Sequence, residues 1–214
     1  MRQTVSNKIT MSKQQSKIFR FKISLLEIEP EIWRVIEVPE SYTFWDLHVA
    51  IQDAMGWLDY HLHSFDPNSS SRPDNRAIGI PEGPMDSDFI AGWTIPITKH
   101  FIGRGDSARY EYDFGDGWIH EIELLAIEPK QSDITYPRCI SGERACPPED
   151  CGSIPGYYRL VEILSDPKDP EYQDMIEWLK GHAKNYYPYD PEFFDADSVN
   201  FWNPKKRLEM MLGT

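Results

Sequence analysis

The run Phe19-Arg20-Phe21-Lys22-Ile23-Ser24-Leu25 alternates apolar and polar side chains, the signature of a strand with one buried face. Pro30 interrupts the pattern. Residues 32–38 then predict a second strand, with Trp33, Val35 and Ile36 turned to the core and Pro39 closing it. Two sequential strands with a short connection predict an antiparallel pair. Thr43-Phe44-Trp45-Asp46 matches a capping box with Asp in the place of Glu. Phe44, Leu47, His48, Ile51 and Met55 recur behind it at helical spacing, and Gly56 predicts a left-handed end. His48 falls in the buried stripe of that helix, where a packed core histidine is expected.

Residues 66–84 are rich in Pro, Ser, Asn, Asp and Gly and predict a loop region with one short strand at 76–80. Residues 97–102 predict a short helical turn. Strands are predicted at 109–114 and 118–127, on either side of Gly115-Asp116-Gly117, and again at 136–140. A helix is predicted at 156–164. Asp169-Pro170 and Asn203-Pro204 each place a cap and a first-turn Pro before a helix; the first presents Tyr172, Met175, Ile176 and Leu179 on one face, with Gly181 past its end. No internal repeat or domain boundary interrupts this order. It predicts an α+β fold: one domain over 17–214, a mainly antiparallel sheet packed against the capped helix, and further helices toward the C-terminus. Residues 1–16 are polar and are expected to form a disordered leader outside it.

Charge narrows the partners. Lys and Arg number 22 against 35 Asp and Glu, a formal net charge of −13. Nucleic-acid binding needs a concentrated positive surface, and the densest basic cluster, Lys205-Lys206-Arg207, lies beside acidic stretches, so the charge counts against nucleic acid as a partner. The longest apolar runs resemble Leu124-Leu125-Ala126-Ile127, far short of the roughly 20 residues of a membrane span. No export signal is visible, so a cytoplasmic protein is expected, its three Cys reduced thiols or metal ligands.

The segment from Tyr110 to His120 is the richest in chemistry. A two-residue Asp116-Gly117 turn would pair Asp113 with His120, a carboxylate beside an imidazole. A three-residue turn with Gly117 left-handed would pair Tyr112 with His120 instead. That register gathers Tyr110, Tyr112, Phe114, Trp118, His120, Ile122 and Leu124 on one face and turns Asp113 and Glu111 away; it is the one expected. His61 and His63, two apart on an extended segment, would face the same way and supply two metal ligands. Cys139, Cys146 and Cys151, completed by His120, form a zinc-like set, although only Cys146 and Cys151 approach the spacing of a zinc knuckle. Glu149 and Asp150 beside Cys151 read either as substrate carboxylates or as caps for the following helix. The acidic residues of 190–197 read as a solvated face. No phosphate loop, dinucleotide fingerprint or nucleophile elbow is present.

Several motifs occur in a fixed order: Ile32-Trp33-Arg34-Val35, Thr43-Phe44-x-Asp46-Leu47-His48, Met55-Gly56-Trp57, His61-Leu62-His63-x-Phe65, Tyr110-x-Tyr112-Asp113-Phe114-Gly115-Asp116-x-Trp118-x-His120, and Gly142-x-x-Ala145-Cys146-Pro147-Pro148-Glu149-Asp150-Cys151-Gly152. Together they resemble the plasmid pRiA4b ORF-three-like family, from about Phe19 to the last helix. The resemblance implies a small α+β protein of the kind found in bacteria, archaea and mobile elements, and names no activity. Gly152-Ser153 departs from the family's usual glycine pair, and residues 81–105 look longer than usual.

Many of the motif residues are costly to bury unpaired: Trp33, Arg34, Trp57, His61, His63, Asp113, Asp116, Trp118, His120, Arg144, Glu149 and Asp150. They are expected to converge on one cleft. The function expected first is a binding module for a peptide, partner protein or small ligand. A metal-dependent hydrolase or nuclease-like enzyme, using His with Asp or Cys as ligands and Glu149 or Asp150 as base, is the second. A mobile-element accessory protein that contacts DNA is the third.

Overall fold

The computed structural model describes residues 15–67, 76–83 and 88–213. Most of the expected leader and much of the 66–84 loop lie outside the described residues. Strands β1 (Lys17–Leu25) and β2 (Ile32–Pro39) form the antiparallel pair that the alternation predicts. Helix α1 (Phe44–Met55) follows. Then come β3 (His63–Pro67), β4 (Ala77–Gly79), β5 (Phe89–Ala91), β6 (Ser107–Tyr112), β7 (Trp118–Pro129) and β8 (Arg138–Glu143). Helices α2 (Ser153–Ser165), α3 (Tyr172–Gly181) and α4 (Pro204–Leu212) complete the chain, with short 3-10 turns between. The described strands form one sheet in the order β5-β4-β3-β6-β7-β1-β2-β8. Every pairing is antiparallel except β4 with β5. This is the expected α+β architecture.

Helix α1 begins where the capping box places it. Thr43 Oγ1 accepts from the Asp46 amide at 3.2 Å, and Asp46 Oδ2 accepts from the Thr43 amide at 2.8 Å. Gly56 ends the helix at φ 88°, where a side chain would be strained. The buried face of α1 (Phe44, Leu47, Ala50, Ile51, Ala54 and Met55) packs in one core with Phe19, Phe21, Ile23 and Leu25 of β1 and with Tyr110, Tyr112, Trp118, Ile122 and Leu124 of β6 and β7.

Two registers differ from expectation. In β2 the core-side residues are Ile32, Arg34, Ile36 and Val38, so Trp33 lies on the other face, half-buried. Alternation leaves no choice: once Ile32 and Ile36 are inside, Arg34 must be too. In the β6–β7 hairpin Tyr110 pairs with His120 and Tyr112 with Trp118. The connection is therefore residues 113–117, longer than either turn considered above. Asp113 turns left-handed at φ 56°, gives its amide to the Leu62 carbonyl and takes the Gly115 amide on Oδ1 at 2.9 Å. Gly117 is left-handed at φ 68°, as expected. The aromatic face survives without Phe114, which is exposed in the turn.

Candidate functional site

Three loops meet at the end of α1 and tie one another down. Residues 57–62 leave α1, residues 113–117 connect β6 to β7, and residues 146–152 lead into α2. Trp57 Nε1 donates to the Pro147 carbonyl at 3.0 Å, and the Leu58 amide donates to Glu149 Oε1 at 2.6 Å. The Asp113 amide reaches the Leu62 carbonyl at 3.0 Å, and the Gly152 amide reaches Asp116 Oδ2 at 3.2 Å. Glu149 is the central brace. It is fully buried, and the Tyr112 hydroxyl donates to it at 3.0 Å from Oε1 and 3.2 Å from Oε2. Burial pushes its carboxyl upward against these donors. Burial, and then the Glu149 charge, push the Tyr112 phenol up as well. Tyr112→Phe removes the buried carboxylate's side-chain donor and is expected to lower stability by about 1–3 kcal/mol, read as a lower urea midpoint at unchanged slope.

His61, Asp113 and Asp150 come one from each loop. His61 Nε2 lies 3.1 Å from Asp150 Oδ1 and 3.6 Å from Asp113 Oδ2. Ligand-type atoms of the three lie within 4.8 Å of one another. His63 is not with them. It is buried under α1 and stacks on His48 at 3.4 Å between ring centroids. Burial, with His48 alongside, holds its imidazole well below the ordinary histidine range. His48 is the packed core histidine expected: its Nδ1 meets the Tyr110 hydroxyl at 2.9 Å, and Nε2 donates to Asp59 at 2.9 Å.

His120 is fully enclosed by Trp57 and Tyr110, with ring centroids at 5.3 Å from each. Neither ring nitrogen has a hydrogen-bond partner among the described residues. Burial lowers its pKa to about 3. Trp118 is equally buried beside Trp57.

The expected single cleft is therefore divided. Trp57, His61, Asp113, Asp116, Trp118, His120, Glu149 and Asp150 gather around the three loops. Arg34 lies at the β2–β8 edge as a structural clamp, donating to the carbonyls of Ala54, Trp33, Glu143 and Arg144 at 2.7–3.0 Å. Arg144 supplies one of those carbonyls and pairs its side chain with Glu192. Trp33 bonds Glu143 across the same edge at 3.3 Å. The thiols are similarly spread: Cys139 is on β8, Cys146 is buried beside Arg34, and Cys151 adjoins Asp116 and Asp150. Burial pushes all three thiols up, Cys151 to about 12. Among the described residues, Cys139, Cys146, Cys151 and His120 do not form a converging ligand group.

A cleft of about 790 Å³ opens between the end of α1 and the segment after α3. Trp57, Tyr186, Tyr189, Phe193, Phe194 and Trp202 line it, with Asp190, Asp195 and Lys184 among its polar groups. Arg34 forms part of its floor, its guanidinium 3.7 Å from the Phe194 ring centroid. The rings between 186 and 202 were not among the residues expected at the site. Their density in the sequence was the available signal, and the acidic residues between them masked it.

The comparisons with known proteins agree with this fold. The family model described as plasmid pRiA4b ORF-3-like protein matches residues 17–198. The chain belongs to the plasmid pRiA4b ORF-3-like family. It is similar to uncharacterized protein y4hQ of Sinorhizobium fredii, 30% identical over 164 residues, covering 76% of this chain and 81% of that protein. The crystal structure of MM3350, a protein of unknown function from Methanosarcina mazei Go1, superposes with a TM-score of 0.76 at 38% identity. That match covers 88% of this chain and all of the other. Among the described residues, no helix is long and apolar enough to cross a membrane.

Proposed function

We propose that this pRiA4b ORF-3-like protein is a binding module, and that the cleft beside α1 receives a peptide, partner-protein segment or small ligand carrying a ring and a positive group. The observation that carries this reading is the aromatic lining of a cleft whose 790 Å³ falls in the range of ligand pockets. Phe193 and Trp202 are 63% and 58% exposed, so rings that usually seek cover are left open to a ligand. The exposed carboxylates of Asp190 and Asp195 and the net charge of −13 favour a cation. The basic cluster read from the sequence is partly consumed, since Arg207 pairs with Asp53 at 3.3 Å and Asp59 at 3.2 Å. That counts against DNA as the partner.

A thermal-shift screen of short peptides, each with one aromatic and one basic residue, tests the reading. Members of the set are expected to raise the melting temperature by an increment that grows with the logarithm of concentration above Kd. Phe193→Ala with Trp202→Ala removes two open rings and is expected to weaken binding at least tenfold. No stabilising peptide at millimolar concentration, or undiminished binding by the double variant, contradicts the reading.

A further inference from the structure

We infer that His61, Asp113 and Asp150 form a binding site for a divalent cation of the zinc or manganese kind. The set is assembled by folding: each donor sits on a different loop, and the loops are locked by Leu58–Glu149, Leu62–Asp113 and Asp116–Gly152 hydrogen bonds. Donors at about 2.0–2.2 Å from one ion lie roughly 3–3.5 Å from each other. The observed 3.1 and 3.6 Å from His61 Nε2 to the two carboxylates are of that size.

The state of the donor atoms is the independent observation. His61 Nε2 is buried and makes no hydrogen bond; its approach to Asp150 is off the line of one. Asp113 has a side chain only 10% exposed. Its Oδ1 is taken by the Gly115 amide, and Oδ2 faces His61. A buried carboxylate and an unsatisfied imidazole nitrogen aimed at one point are costly unless something positive binds there.

The nearby basic side chains do not fill that role. Lys184 gives its ammonium to the Gly56 carbonyl, and His182 Nε2 stands 3.9 Å from the outer oxygen of Asp150. Glu149 adds to the negative field around His61. One imidazole with two carboxylates is a mixed nitrogen–oxygen set that suits zinc, manganese or ferrous iron better than a thiolate-seeking ion. Three protein donors leave coordination open, and the 54% exposure of Asp150 puts the open side toward solvent. The site is distinct from the thiol set suggested by the cysteine spacing.

Calorimetric titration of the full chain, purified without a histidine tag and stripped with chelator, tests the inference with zinc chloride and manganese chloride alone. One ion per chain is expected. Asp113→Asn and Asp150→Asn keep side chains that tolerate left-handed backbone, which both positions adopt. Together they are expected to weaken binding at least tenfold, with circular dichroism confirming the fold. Asp150→Asn alone, at an exposed position, should weaken it in the same direction. Cys139→Ala and Cys151→Ala should leave it unchanged. Failure to bind either ion in stoichiometric amount overturns the inference. So does binding that survives both Asn substitutions or disappears with the thiols.

Discussion

Arg34→Ala is expected to cost about 4 kcal/mol or more, enough to leave much of the chain unfolded at 37 °C. Arg34 is 1% exposed and occupies a core-side position of β2. Its guanidinium gives hydrogen bonds to four carbonyls drawn from the end of α1, from β2, and from β8 and the residue after it. Truncation removes the donor of all four acceptors, at about 1–3 kcal/mol for each that water from the cleft does not reach. The ring of Phe194 loses its guanidinium partner as well. Gly142 belongs to the same packing: a Cβ there would stand 2.5 Å from Phe194 and 2.9 Å from the Arg34 side chain. Arg34→Lys restores the charge without the fork and is expected to recover less than half of the loss. Urea denaturation of both variants checks the ordering; equal stability of Arg34→Ala and the native chain contradicts the clamp.

Acid is expected to expose the second large term. His120 is buried and its pKa is lowered to about 3, whereas an unfolded histidine protonates near 6.5. Between those values the unfolded chain holds more protons, so stability falls as the pH drops below about 6.5 and the loss is complete near 3. At about 1.4 kcal/mol per tenfold change, the full term is on the order of 4–5 kcal/mol. His63, also lowered by burial, acts in the same direction. Glu149 acts oppositely: its raised pKa contributes stability at low pH that is lost as the pH rises through its folded value. Comparing His120→Leu with the native chain isolates the histidine. The variant is expected to be the more stable at pH 5, by a margin that widens toward pH 4. Parallel stability curves for the two proteins would contradict the assignment.

The parts of the fold written in local chemistry were legible. The Thr43–Asp46 box, the Gly56 end, the alternation of β1 and the Asn203-Pro204 start of α4 each depend on a few adjacent residues. Register was harder, because it depends on partners far along the chain. Trp33 looked like the core residue of β2, yet Arg34 takes that side because three distant carbonyls, of Ala54, Glu143 and Arg144, receive its protons together with that of neighbouring Trp33. The β6–β7 connection lengthened because Asp113 bonds Leu62 and adopts a left-handed backbone, neither visible in Gly-Asp-Gly. Two residues' separation promised that His61 and His63 would act together. The strand begins only at His63, so His61 stays in the preceding bend and joins Asp113 and Asp150. The site was thus half legible: the residue types were evident, but which loop each would sit on was decided by tertiary contacts. The C-terminal rings escaped notice because their value lies in facing Trp57, more than a hundred positions away.

The claim on which the functional reading depends is that ligands enter beside α1, against Trp57 and the 186–202 segment. Tryptophan indole resonances report this directly, since Trp57 and Trp202 line the cleft while Trp33 lies on the opposite face of the sheet. On titration with a stabilising aromatic–basic peptide, the Trp57 and Trp202 indole signals and the amides of Leu58, Ala145 and Tyr186 are expected to move together, with Trp33 still. Shifts centred on Trp33 and the outer sheet face, with the cleft signals unmoved, would contradict the account.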